Sequence, residues 1–423
     1  MKEKISFKVL PGFIILGIIT GLLIGTFKKL IGLVSGFMDG FLISGQSRDK
    51  IIFMVLIILI GLITYIILKK DKNTKGSGIP VMTGMLEGTI DLESEKTIIG
   101  KFVASVLTIG SGLTVGREGP SVQLGGLAGD ISSKFFPKTD RRLFIGSAAS
   151  SGFAVAFNAP VAALIFNVEE IFRTHNFNTF LTSAVTIISA TVTSGLVFGD
   201  FPSLENIPVF DAVDQKSLWI IIILGILTGL SGVLFNKVVI GSKEVYKKIH
   251  LPEVVKYLAP FVITGLVLLL DPRLFASGEE LIYLPSLGNE GIASLVYMYV
   301  AKILLLSLAF GIGLSGGSLV PLLAVGAILG NIYGTILADH NLIGTEMIFA
   351  ISLIAMAGHF SAIVRTPITA VILILEMTGG AFSNILALAV VSFAAYLVAE
   401  IMKSQPFYED LYDRLLVTEK SSS

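Results

Sequence analysis

The sequence predicts an all-α integral membrane protein in which two structurally related helical halves, with broken and tilted helices, meet at a central site. Long uncharged apolar stretches and an internal repeat carry this prediction. Of the 423 residues, 53% are hydrophobic and 15% charged, whereas about 25% of a soluble domain is charged. About 20 apolar residues cross a bilayer. Continuous apolar runs exclude the alternating pattern of a barrel, so we expect helices. The uncharged stretches are 9–27, 51–68, 143–168, 178–199, 217–236, 303–338 and 377–399.

The repeat consists of two motif pairs at almost the same spacing. NAPVAALIFNVEE at 158–170 recurs as RTPITAVILILEM at 365–377, and VGREGP at 115–120 recurs as GGSLVP at 316–321. A repeat of about 200 residues, each copy with several apolar segments, is typical of a transporter-like fold with its site between the halves. We expect the halves to be inverted relative to each other, which the sequence alone does not decide.

The repeat divides the chain into one polytopic membrane domain with four parts. We predict a first half at 9–199 and a second half at 217–402, with a short cytoplasmic tail at 403–423. The stretch 200–216 between the halves is polar and contains proline, which favours a linker.

Charge at the N-terminus predicts the orientation. Lys2, Lys4 and Lys8 precede the first apolar run, and cytoplasmic ends carry an excess of lysine and arginine. We expect a multi-pass protein of the cell membrane with both termini in the cytoplasm. The first run lacks a small-residue cleavage site, so we expect a retained helix rather than a removable signal.

Composition argues against several classes of function. The formal net charge is zero, and nucleic-acid binding needs a basic face, so no nucleic-acid partner is expected. The chain has no cysteine, and its four histidines lack ligand spacing, so we expect no metal site and no cofactor. No set of convergent nucleophiles indicates an enzyme.

The segment GREGP at 116–120 carries the strongest functional signal. Arg117 and Glu118 lie within apolar sequence, where ionisable residues are costly and indicate function. A simple Arg117–Glu118 pair is the alternative, but adjacent residues do not face each other on a helix. Pro120 suits the first turn of a helix, and a helix N-terminus attracts anions through its free N–H groups and its dipole.

This placement predicts a gate at Glu118. Its carboxylate and an anion would compete for the same N–H groups, and protonation would remove the carboxylate's negative charge. Arrival of an anion and uptake of a proton are then linked. In GSGIP at 76–80, Ser77 offers a hydroxyl that can donate to an anion. Its alternative role is to cap the helix that Pro80 begins.

In this order, GSGIP, GREGP and GSLVP at 317–321 resemble the three hallmark stretches of the CLC family of chloride channels and chloride/proton antiporters. FNAP with a following glutamate pair, RTPITAVILILEMT and QPFYEDLY extend the resemblance over about residues 76–412. The resemblance implies chloride and protons as ligands, a lipid bilayer as surroundings, and a homodimer with one pore per subunit. Paired nucleotide-sensing domains do not follow the last apolar segment, so no nucleotide partner is expected.

The resemblance also implies roles for individual residues. A central chloride would be held by Ser77, by Tyr408, and by the N–H groups of Ser318 and Leu319 in the motif that Gly317 opens. An outer chloride would lie at the N–H groups of Arg117 and Gly119, next to the gating residue Glu118. Without the family, Tyr408 would be interpreted as an interfacial aromatic anchor.

Three further residues are implied by the resemblance. Glu170 matches the inner glutamate that passes protons in antiporters, where channels usually have an apolar residue. Glu169 precedes it about 100° around a helix, so only one of the two can face a buried path; the alternative is two solvated helix-end carboxylates. Lys101 matches a buried lysine and would otherwise be interpreted as a snorkelling side chain.

Two departures from the family pattern affect the expected site. Leu319 stands where GxFxP motifs have phenylalanine, which changes the apolar wall between the inner and central anion sites. Val81 and Thr83 stand where some bacterial relatives have acids, so the proton path near Glu170 is expected to use different partners.

The resulting hypothesis is secondary active exchange of chloride for protons, gated by Glu118. A passive chloride channel is the alternative, and the presence of Glu170 favours exchange. A fluoride/proton antiporter is disfavoured because that branch typically departs from GSGIP and lacks the tyrosine. A membrane scaffold without transport would not need Arg117, Glu118 and Glu170 in apolar sequence.

Overall fold

The computed structural model describes residues 9–174, 176–199, 203–204, 217–288, 290–380 and 382–420, and its regular elements within these ranges are helical. The predicted all-α class is confirmed. The helices are α1 (Leu10–Ile43), α2 (Ser47–Lys70), α3 (Ile79–Glu87), α4 (Ser94–Gly110), α5 (Glu118–Ser133), α6 (Arg141–Phe157), α7 (Pro160–Phe166), α8 (Phe177–Phe198), α9 (Leu218–Lys248), α10 (Glu253–Leu270), α11 (Leu284–Leu287), α12 (Ile292–Ile312), α13 (Leu319–Asp339), α14 (Met347–Val364), α15 (Pro367–Met377), α16 (Ile385–Ile401) and α17 (Phe407–Lys420).

Nine elements in the described ranges are long and apolar enough to cross a membrane. Large apolar side chains such as Leu196 and Ile188 are exposed on the outer helices, as lipid-facing positions require. Lys2, Lys4 and Lys8 lie outside the described residues, so the predicted orientation stays a prediction. The linker at 200–216 also lies outside them, apart from Ser203 and Leu204.

The order of helices in the first half repeats in the second. Helix α1 packs on α8 as α9 packs on α16, and α5 packs on α6 as α13 packs on α14. The short or interrupted helices α3, α5, α7, α13 and α15 have a proline within their first turn, where its missing N–H costs no hydrogen bond. The first turns of α3, α5 and α13 are buried inside the protein.

The two halves meet at the repeated glycine motifs. Gly116 and Gly317 form an isolated antiparallel bridge, and each donates its N–H to the carbonyl of the other at 2.7 Å. The two motifs therefore run in opposite directions where they touch.

A second reciprocal contact joins the halves at helices α7 and α15. The Glu376 carboxylate accepts from the N–H groups of Val161 at 3.0 Å and Ala162 at 2.7 Å, in the first turn of α7. The Glu169 carboxylate accepts from Thr369 N–H at 2.8 Å, in the first turn of α15. Each half thus supplies a carboxylate to free N–H groups of the other.

Candidate anion pathway

The Glu118 carboxylate lies between the two halves at the start of α5. The residue is fully buried, and its Oε1 accepts a hydrogen bond from the backbone N–H of Leu319, at the start of α13. A Cβ atom on Gly116 or on Gly317 would overlap this carboxylate. Because the two bridging glycines have no Cβ, the Glu118 carboxylate fits against both of them.

The Glu118 carboxylate binds the N–H group of Leu319, which the resemblance assigned to a central chloride. The resemblance placed Glu118 next to the N–H groups of Arg117 and Gly119, but the hydrogen bond runs to the other half of the chain. The antiparallel bridge places the N-termini of α5 and α13 together, so the acid at one reaches the N–H groups of the other. A carboxylate and an anion cannot both take the Leu319 N–H.

Three buried hydroxyls surround this position. Those of Ser77, Ser318 and Tyr408 have no hydrogen-bond partner within the described part of the chain. Ser77 lies against Gly119, whose Cβ would overlap the serine hydroxyl, and Tyr408 lies close enough to Ser318 and Glu118 to interact with both. Buried donors without acceptors are costly. An anion would accept from all three.

Tyr408 reaches this place because the first turn of α17, which lies within the segment 403–423, packs into the protein interior. Helix α17 starts at Phe407, and both Phe407 and Tyr408 are buried, whereas its later residue Val417 is exposed. The expected short tail therefore contributes its first helical turn to the core.

Glu170 lies away from the bridge, in a π-helical turn at Asn167–Ile171 that follows α7. It is buried, with 4% of its surface exposed, and its Oε1 accepts from Arg173 Nη2 at 3.0 Å. Arg173 borders a cavity of about 1200 Å³ that also touches Thr83 and Glu87. The base that is paired with this acid therefore borders an open cavity. No motif pointed to Arg173, although an acid and a base three residues apart on a helix are natural partners.

The sequence model of the family described as "Voltage gated chloride channel" matches residues 60–400. This chain belongs to that family. The resemblance read from its motifs is confirmed, and the protein is a multi-pass membrane protein. The H(+)/Cl(-) exchange transporter ClcA of Vibrio campbellii is 32% identical over 98% of this chain and 91% of that protein. The protein of the same name from Citrobacter koseri is 30% identical, over 98% and 90%.

Solved structures of family members share the fold. A slow cyanobacterial Cl-/H+ antiporter matches with a TM-score of 0.90 and 26% identity over 99% of this chain and 100% of that one. A eukaryotic CLC transporter matches with a TM-score of 0.80 and 19% identity, covering 96% and 74%. A CLC-type fluoride/proton antiporter matches with a TM-score of 0.79 and 21% identity, covering 96% and 98%. The last two comparisons show the fold alone.

Within this family fold, Lys101 is fully buried. Its Nζ donates to the carbonyls of Thr74 at 3.2 Å and Gly76 at 2.7 Å. The lysine therefore holds the loop that carries Ser77, and it is not a snorkelling side chain. The second half has its own buried lysine, Lys302, which sequence analysis missed although the repeat spacing leads from one lysine to the other.

The two departures from the family pattern lie in different surroundings. Leu319 is fully buried, so its side chain is part of the packed wall next to the Glu118 carboxylate. Thr83 donates its hydroxyl to Ile79 O at 3.2 Å and borders the cavity beside Arg173. Val81 is buried. Near Glu170 the charged partner is therefore a base from its own segment, not an acid after GSGIP.

Proposed function

We propose that this protein exchanges chloride for protons across the membrane. The observation that carries the proposal is the Glu118 carboxylate on the Leu319 N–H, beside the unpartnered hydroxyls of Ser77, Ser318 and Tyr408. One position can thus hold a carboxylate or an anion, and one side chain there can take a proton. Relatives named as H(+)/Cl(-) exchange transporters support the same function.

In the proposed cycle, Glu118 is the gate and the outer proton acceptor. Protonation cancels the charge that holds the carboxylate on the helix N-terminus, so the side chain leaves the Leu319 N–H to chloride. The N–H groups of Ser318 and Leu319 and the hydroxyls of Ser77 and Tyr408 then donate to the anion. Departure of chloride lets the ionised acid return. The N–H groups of Arg117 and Gly119 form the second chloride position.

Glu170 serves as the inner proton station. Its burial and its position next to the cavity bordered by Arg173 support this role, because a proton must reach the interior without chloride following it. Arg173 supplies a counter-charge to the ionised acid at 3.0 Å. Glu169 and Lys101 do not exchange protons in this scheme, because Glu169 caps α15 and Lys101 holds the Ser77 loop.

A passive chloride channel is the second candidate, since it would use the same anion positions. The buried acid at Glu170 favours exchange over a channel, because a channel has no need of it. A fluoride/proton antiporter shares the fold, but Ser77 and Tyr408, which face the Glu118 region here, support chloride.

The test is chloride efflux from proteoliposomes with simultaneous recording of external pH. In exchange, an outward chloride gradient drives protons inward against their own gradient. Chloride movement without proton movement would show a channel. No flux of any halide would show a scaffold and overturn the proposal.

We further propose a homodimer in the cell membrane with both termini in the cytoplasm. The chain contains no cysteine, so a single cysteine introduced near either end reports its side by labelling with an impermeant thiol reagent. Labelling of intact cells at either end would overturn the orientation. Mass determination in detergent by light scattering tests the dimer.

A further inference from the structure

The loop that carries Ser77 has a counterpart in the second half. DKNTKGSGIP at 71–80 is matched by DPRLFASGEE at 271–280, with the aspartate and the Ser-Gly pair at the same places. Asp71 accepts from Asn73 N–H at 2.9 Å, and Asp271 accepts from Arg273 N–H at 3.2 Å. The same turn therefore begins both loops.

A buried lysine holds each loop by hydrogen bonds to its backbone carbonyls. Lys302 Nζ donates to the carbonyls of Leu274 and Ala276, both at 2.8 Å, as Lys101 does to the first loop. An ammonium group without a carboxylate partner is tolerated inside only when several acceptors surround it. In each half, a buried charged lysine therefore holds the loop in place.

The two loops attach to opposite motifs. Gly76 donates its N–H to Gly313 O at 3.0 Å, just before GSLVP, and Ala276 donates to Gly112 O at 2.9 Å, just before GREGP. The first loop places Ser77 beside the site. The second loop continues with Glu279 and therefore places an acid beside Arg117.

Glu279 meets two cations there, and we call Lys28, Arg117 and Glu279 the entrance cluster. Arg117 Nη1 and Glu279 Oε2 are 3.5 Å apart, with 23% and 30% of the two side chains exposed. Lys28 lies close enough to both to interact electrostatically. Lys28 and Arg117 also donate to the adjacent carbonyls of Val155 at 2.9 Å and Ala156 at 3.3 Å.

These contacts leave the cluster with one positive charge in excess. Arg117 and Glu279 are 3.5 Å apart and both partly exposed, and an ion pair of this kind contributes little stability. The cations are held by carbonyls at the end of α6, whereas the carboxylate is held to Arg117 only loosely. A small anion can therefore take the place of Glu279 without displacing the cations.

We propose that the entrance cluster binds a monovalent anion on its way to Glu118, and that Glu279 sets the affinity by competing for Arg117. This inference rests on the proposed function, because the anion must continue past Glu118. An excess of positive charge raises the local concentration of anions, and a tethered carboxylate reduces that effect. Glu279 is thus an affinity-determining residue of the outer path.

The test compares Glu279→Gln with Glu280→Gln, which removes the same charge one residue further on, at an exposed position. Radiolabelled chloride exchange is measured in proteoliposomes with equal chloride on both sides, at constant ionic strength. For Glu279→Gln we expect the half-saturating chloride concentration to fall about threefold to tenfold. The maximal exchange rate should change less than this concentration does. For Glu280→Gln we expect no such fall.

Lys28→Gln provides a test of opposite sign, because it removes a cation from the cluster. We expect the half-saturating chloride concentration of this variant to rise. Equal behaviour of Glu279→Gln and Glu280→Gln, or shifts of Glu279→Gln and Lys28→Gln in the same direction, would overturn the inference while leaving exchange intact. Absence of chloride exchange in the unmodified protein would instead overturn the proposed function.

Discussion

The carboxylate of Glu118 accepts a hydrogen bond from the backbone N–H of Leu319, which lies 201 residues further along the chain. The contact joins the first turn of α5 to the first turn of α13 across the antiparallel Gly116–Gly317 bridge. A carboxylate that can accept a proton and an N–H group that can bind an anion therefore lie at one position. The gate proposed for Glu118 depends on this contact, because the ionised carboxylate and an anion would compete for the same N–H group.

Replacing Glu118 with glutamine should abolish proton coupling while chloride still crosses. Glutamine is uncharged at every pH and cannot carry a proton, so the gate no longer responds to one. Proton uptake during chloride efflux from proteoliposomes should fall to the background of empty vesicles. Glu253→Gln, at an exposed acid in the first turn of α10, should retain coupling. Full coupling in Glu118→Gln would remove the gate from this residue.

Replacing Glu170 with glutamine should stop proton flux and leave chloride flux measurable. The variant keeps a side chain of the same shape beside Arg173 but has no carboxylate to load from the cavity. The same assay should show chloride efflux without a change of external pH. Glu346→Gln, at an exposed acid just before α14, is the matched control. Proton uptake at the unmodified rate would show that protons take another path.

Gly317→Ala should impair transport more strongly than an alanine elsewhere. A Cβ at this position overlaps the Glu118 carboxylate, so the acid must leave the Leu319 N–H or the bridge must open. Gly32→Ala in α1 is the control, because a Cβ there meets no atom within 4 Å and alanine favours a helix. We expect at least a tenfold loss of chloride flux for Gly317→Ala, or about 1.4 kcal/mol, with Gly32→Ala unchanged. Equal fluxes would show that the close approach is not needed.

Glu169→Ala and Glu376→Ala should each lower the stability of the folded protein. Each substitution removes a carboxylate from the N–H groups of a helix in the opposite half, and loss of a helix cap costs about 1 kcal/mol or more. Thermal unfolding in detergent should show a lower melting temperature for both variants. Glu253→Ala, at an acid in the first turn of α10 that is exposed, should melt like the unmodified protein. A lower melting temperature in only one of the two variants would show that the two contacts are not equivalent.

Local patterns in the sequence were sufficient for the helical class and for most of the residues at the site. Long apolar stretches require helices in lipid whatever their neighbours are. The repeat indicated the two halves, and the motifs led to Glu118, Ser77 and Tyr408, which the structure places in one region. Glu170 was found in the same way, and the structure buries it beside a cavity.

The sequence by itself determined that the chain crosses the membrane many times, that it repeats, and which acids lie in apolar segments. Only the tertiary structure decided that Glu118 binds the N–H of Leu319, that Glu376 and Glu169 each cap a helix of the opposite half, and that Lys101 and Lys302 each hold a loop. These contacts join residues of opposite halves or of separate segments. Their partners depend on the direction in which the halves pack, and hydrophobic periodicity carries no information about that direction.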